Sequence, residues 1–210
     1  MDRLSGQAIS DAVGGHGWRL LLGGLRTSVE VGSLARAAEV AALVAGVAGD
    51  GIRLELRPDR VHLTVPAAAT AREAELAVRV SAALRDAGLT PSPAGVQAFE
   101  IAVDALDIPA VKPFWKAVFG YVDAPGDALA ITDPRRLGPD VWFQQMDAPR
   151  PQRNRIHFDV WVAADEVDER IADAVAAGGR IVNDAEAPTF TVVADPEGNE
   201  ACVCVYLGRG

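Results

Sequence analysis

The chain has 210 residues, 50% of them hydrophobic and 23% charged, with 20 glycines, 13 prolines and a formal charge of −9. That composition is globular, which excludes a collagen-like or intrinsically disordered chain. No apolar run approaches the roughly 20 residues of a spanning helix, and no half of the chain is basic, so neither a membrane nor nucleic acid is expected as a partner.

Ser5 to Val13 reads as a short helix opened by a serine cap and ended at Gly14-Gly15-His16-Gly17. Trp18 to Leu22 and Leu25 to Val31 read as two strands about the turn Gly23-Gly24. Ser33 to Val47 is a helix, with Leu34, Ala37, Ala38, Ala41, Ala45 and Ala48 recurring at three- and four-residue spacing. Ile52, Leu54 and Leu56 alternate with Arg53, Glu55 and Arg57, and Val61, Leu63 and Val65 repeat the alternation after Pro58-Asp59. Thr70 caps a last helix through Leu84, ended by Gly88. Helix, hairpin, helix, hairpin, helix describes an α+β layer with helices on one face of an antiparallel sheet.

Charge and composition change after this point. Residues 1–93 hold 10 arginines, no lysine and 10 acidic residues; residues 94–210 hold 10 basic and 19 acidic residues and so carry the whole net charge. The step predicts two units, residues 1–90 and 96–208, joined by the linker Gly88-Leu89-Thr90-Pro91-Ser92-Pro93-Ala94-Gly95. The start lacks a basic stretch followed by an apolar run, so no secretory signal is read. Cys202 and Cys204 stand two apart on a predicted strand, where a mutual bridge would be strained. A reduced, cytoplasmic protein is expected.

Gly17-Trp18-Arg19-Leu20 after the first helix, and Val61-His62-Leu63 in the last strand, make residues 4–89 resemble the pterin-4a-carbinolamine dehydratase family. Members of that family dehydrate a hydroxylated pterin with a His-His-Pro stretch after the long helix. Counted back from Val61-His62, that stretch falls on Asp50-Gly51-Ile52, so both histidines and the proline are missing. Asp50 is the remaining candidate for proton transfer, provided burial raises its pKa. His62 alternates onto the solvated face and His16 lies in a loop. The unit therefore reads as a degenerate copy kept for oligomerisation or to support a ligand pocket, with pterin carbinolamine dehydration (a lyase reaction) as the alternative. The resemblance also implies a homo-oligomer.

The second unit repeats internally. Phe99-Glu100-Ile101-Ala102-Val103 is an alternating strand, followed by Asp107 and a helix, Pro109 to Phe119, ended at Gly120. Ile156-His157-Phe158-Asp159-Val160-Trp161-Val162, Asp165 and a helix from Val167 to Ala177 repeat the pattern. Glu100 and His157 are 57 residues apart, Asp107 and Asp165 58, and Gln144 and Cys202 58. Each copy is strand, helix and several strands, and two such copies are predicted to curl into one cup about a pseudo-twofold. Period-two alternation then turns Glu100, Gln144, His157 and Cys202 into the cup, with Trp142 on the face of Gln144 and Trp161 on the face of His157.

The repeat, Phe114-Trp115 before Phe119-Gly120-Tyr121, Asn154-Arg155-Ile156-His157-Phe158-Asp159, and the turn Asp195-Pro196-Glu197-Gly198-Asn199 make residues 96–207 similar to the glyoxalase/bleomycin-resistance/dioxygenase superfamily, the vicinal oxygen chelate fold. The resemblance implies paired βαβββ modules and, in metal-using members, four inward positions that hold a divalent ion. Carried over, these positions are Glu100, Gln144, His157 and Cys202, with Cys202 where a glutamate usually stands. Cys, His and Glu suit zinc better than magnesium. Glu100 or Glu200 is the expected proton-transfer base, Gln144 the orienting group, and Trp142, Trp161 and Arg155 the contacts to a small planar or anionic ligand. The expected function is binding of a small metabolite, with metal-assisted lyase or isomerase chemistry or with sequestration alone.

Overall fold

The computed structural model describes residues 4–22, 24–66, 70–149 and 156–205. The chain divides into two compact units, Met1–Ala98 and Phe99–Gly210. Among the described residues no helix is long and apolar enough to cross a membrane.

The first unit runs α1 (Gly6–Gly14), β1 (Arg19–Leu21), β2 (Gly24–Glu30), α2 (Leu34–Ala48), a 3-10 turn (Gly49–Gly51), β3 (Arg53–Leu56), β4 (Arg60–Pro66) and α3 (Ala71–Asp86). Side-chain caps start its helices where the sequence places them. Ser5 accepts from the Ala8 amide, Ser33 from the Arg36 amide, and Glu73 reaches back to the Thr70 amide. One antiparallel sheet has the order β1-β2-β4-β3. Its helix-facing rows are Leu20-Leu25-Val65 and Thr27-Leu63-Leu54, which pack with Val13, Val40, Val44, Ala77 and Leu84 of the helices. Trp18 is fully buried, and its Nε1 donates to Ser81 Oγ at 2.7 Å.

The stretch Gly88 to Gly95 is not a free linker. Ser92 forms an antiparallel bridge with Ser28, with Ser28 N donating to Ser92 O at 2.9 Å and Ser92 N to Ser28 O at 2.8 Å. The reason lies in strand lengths: β1 pairs only with Gly24 to Arg26, so the backbone groups of Ser28 need another partner. Gly17 shows how closely this segment approaches; a Cβ there would lie 2.4 Å from the Pro91 carbonyl.

The second unit runs β5 (Ile101–Ala105), α4 (Ile108–Phe119), β6 (Val122–Asp123), β7 (Ala130–Thr132) and β8 (Val141–Gln145). It continues with β9 (Phe158–Trp161), α5 (Val167–Ala176), β10 (Arg180–Asn183), β11 (Phe190–Ala194) and β12 (Glu200–Cys204). Two βαβββ copies are therefore present. Their sheets have the orders β5-β8-β7-β6 and β10-β11-β12-β9. In each copy the first strand runs parallel to the last, β5 with β8 and β9 with β12, and the rest is antiparallel. A parallel neighbour requires a crossover, which α4 and α5 supply while covering one sheet face each.

One core joins the copies: Val103, Val111, Phe114, Trp115, Val118, Ile131 and Phe143 pack with Ala174, Val193, Ala201 and Val203. Beside Trp115 of this core, Asp195 is fully buried. Its carboxylate accepts from Trp115 Nε1 at 3.0 Å, Asn199 Nδ2 at 2.8 Å, and the Glu197 and Asn199 amides at 3.0 and 2.8 Å. Glu197 in turn accepts from the Leu106 and Asp107 amides, at 2.9 and 2.7 Å, just before α4. The Asp195-to-Asn199 turn is thus a clamp between copies as well as a reversal of the chain. Asp195→Ala would leave the buried Trp115 indole N–H without its acceptor and remove the other three hydrogen bonds of the turn. It should cost about 3 kcal/mol of stability, read by urea unfolding followed by tryptophan fluorescence; Asp195→Asn, which keeps one acceptor oxygen, should cost less.

Candidate metal centre

The candidate ligands lie on the face of each sheet turned away from the helices. Register fixes which side chains share it. Cys202 aligns with Asp159 and Cys204 with Trp161 across the parallel β12–β9 ladder, while Val192 aligns with Cys202 on the other side. In the first copy Trp142 aligns with Ala102 and Gln144 with Asp104. The alternate residues Ala201, Val203, Val141 and Phe143 are buried against the helices.

Within this face His157, Asp159 and Cys202 form the one group of three or more His, Cys, Asp or Glu residues, among those described, whose ligand atoms all lie within 4.8 Å of one another. His157 precedes β9 by one residue, Asp159 lies on β9 and Cys202 on β12. His157 Nε2 stands 3.4 Å from Asp159 Oδ1, and both side chains are about half exposed, 52% and 50%. An imidazole, a carboxylate and a thiol are a donor set that suits zinc, and three protein ligands leave a fourth position for a substrate or water. The residues present therefore fit a divalent metal.

Of the sequence-predicted positions, the structure brings His157 and Cys202 together. Glu100 and Gln144 lie with the β5–β8 sheet, both exposed, and neither joins the cluster. Asp159 takes the third place, because the parallel register sets it beside Cys202. Glu200 is half-buried two residues before Cys202 and shares its face. Trp161 is 49% exposed, and Trp142 is half-buried. Arg155 lies outside the described residues. Asp50 sits exposed in the 3-10 turn Gly49–Gly51 of the first unit, so the burial that its expected role requires is not there.

Burial first, and then the charge of Asp159, push the Cys202 thiol up to about 11, with Cys204 and Glu200 acting in the same direction. Its ordinary value is 9.0, so the protonated thiol is favoured by the folded state. The stability this contributes is fully present below pH 9 and is lost as pH rises from about 9 through about 11. In a Cys204→Ala background, thiolate absorbance should titrate near pH 11, and Asp159→Asn should lower that midpoint; a midpoint near 9 in the parent would contradict the burial argument.

Residues 100–204 match the model of the family described as glyoxalase-like domain. No curated protein matches the chain. Solved structures similar to it include a glyoxalase/bleomycin resistance protein/dioxygenase family enzyme from Burkholderia phytofirmans, 18% identical, covering 51% of this chain and 97% of that one with a TM-score of 0.43. A glyoxalase/bleomycin resistance protein/dioxygenase from Alicyclobacillus acidocaldarius is also 18% identical, covering 53% and 92% with a TM-score of 0.39. The fosfomycin resistance protein FosX from Listeria monocytogenes, solved with Mn(II) and a dihydroxypropylphosphonic acid, is 15% identical, covering 53% and 89% with a TM-score of 0.40. Through residues 100–204, half of its length, the chain belongs to the glyoxalase-like domain family.

Proposed function

We propose that the second unit binds a small metabolite at a divalent-metal centre held by His157, Asp159 and Cys202, and that it is a lyase or isomerase acting on that metabolite. The observation that carries this reading is the His-Asp-Cys cluster on the sheet face away from the core. Zinc is the ion that the thiol favours. When bound, such an ion supplies Lewis-acid polarisation of a ligand's oxygen atoms.

The chain's own residues supply the remainder. Glu200, on the face of Cys202, is the base that takes a proton from the ligand, with Glu100 as the second candidate. Trp161, half exposed on β9, is a wall for a flat ligand, and Trp142 and Gln144 hold its far side on the first copy's sheet. Arg155 is the group proposed to pair an anionic ligand. The two free cysteines accord with a cytoplasmic setting.

For the first unit we propose a pterin-dehydratase-like layer that assembles the protein into a homo-oligomer. Its support is the element order and the single β1-β2-β4-β3 sheet. The dehydratase activity itself is the weaker alternative, since Asp50 is exposed and stands in place of the histidines.

Elemental analysis and zinc titration of the purified chain test the main reading. One zinc per chain is expected, lost in His157→Ala and in Cys202→Ala. Because the thiol must give up its proton to hold the ion, zinc affinity should rise with pH and binding should release acid. A chain that takes up no metal, or whose metal content ignores both substitutions, overturns the proposal; ligand protection against heat without turnover would assign sequestration instead.

A further inference from the structure

The open face of the first unit's sheet carries a row of arginines that the proposed function does not use. Register aligns Arg19 with Arg26, Arg26 with Thr64, and Thr64 with Arg53. Partners in one register row share one face. The rows on either side of this one in alternation, Leu20-Leu25-Val65 and Thr27-Leu63-Leu54, face the helices, so the arginine row faces away from them.

Two observations mark this row as a built site. First, Arg19 and Arg26 are directly opposite on neighbouring strands, an arrangement of like charge that sheets disfavour. Second, the Nε of half-buried Arg26 is the one buried side-chain nitrogen or oxygen, among the described residues, with no hydrogen-bond partner. A buried N–H without an acceptor is unfavourable, and a guanidinium is a planar fork shaped for a carboxylate or phosphate group. Thr64, only 6% exposed, brings a hydroxyl between Arg26 and Arg53. Arg19 is oriented by its Nη1, which donates to the Trp18 carbonyl at 2.8 Å. The next row on this face, Ser28-His62-Glu55, holds a single carboxylate, at the exposed end on β3.

We infer that the Arg19-Arg26-Thr64-Arg53 row binds the phosphate or carboxylate group of a small metabolite, with Arg26 as its central donor. An oxyanion seated there pairs the guanidinium groups, drawing the Arg26 fork toward it, and relieves the repulsion along the row. The guanidinium keeps its charge throughout the working pH range, so the site does not switch off near neutrality.

Calorimetric titration of the full chain with inorganic phosphate, and separately with succinate, at low ionic strength tests this. Saturable binding of at least one anion is expected. Arg26→Gln should weaken it by about tenfold or more, and Arg26→Lys by less, because the charge remains but the fork is lost. Arg36→Gln, on α2 and paired with Glu39, should change nothing. Should Arg26→Gln fail to fold, Arg19→Gln at an exposed position carries the test, with severalfold weakening expected. Tighter phosphate assigns a phosphorylated ligand and tighter succinate a carboxylate; either supports the site. No saturable binding of either anion, or binding unchanged by the substitutions at Arg26 and Arg19, overturns it.

Discussion

The parallel ladder between the first and last strand of each βαβββ copy is the constraint on which the second unit depends. Parallel neighbours cannot be joined by a tight turn, so each copy must carry a helix across one face of its sheet. That helix buries one set of alternate side chains, including Val141, Phe143, Ala201 and Val203, and leaves the other set away from the core. In β9 and β12 the same ladder sets Asp159 beside Cys202. The polar cluster is therefore a direct product of strand pairing, and a slip of one residue would turn it into the apolar core.

The two copies are then held to one another by a buried carboxyl group. Asp195 is fully buried, and its carboxylate accepts from four donors, which satisfies its oxygens away from water. The same turn sends Glu197 to the amides before α4, where a carboxylate also complements the helix dipole. A motif that reads as a turn is thus an electrostatic joint between repeats.

Electrostatics also separates the two candidate sites in kind. The cluster at Cys202 includes the Asp159 carboxylate, and burial first, then that charge, hold the thiol protonated. The row at Arg26 is cationic, and its buried Nε asks for an acceptor. The one is suited to a metal, the other to an oxyanion. Each sits on the face of an open sheet that its helices do not cover, where side chains from adjacent strands converge without competing for the core.

Local order was legible in the residues themselves. Ser5, Ser33 and Thr70 mark helix starts, Gly120 ends α4 in the left-handed conformation at φ 65°, and the 57- to 58-residue spacing reveals two copies. These signals are short-range or periodic, so one dimension suffices to read them. The ligand set was legible only in part. His157 and Cys202 were visible as symmetry-related positions, but the repeat also nominated Glu100 and Gln144, because matched spacing shows which residues correspond and not which ones touch. Asp159 enters through the pairing of strands 43 residues apart, and the arginine row through four strands joined in the order β1-β2-β4-β3. Periodicity along the chain assigns a side chain to a face; only the hydrogen-bonded register between distant strands decides its neighbours on that face.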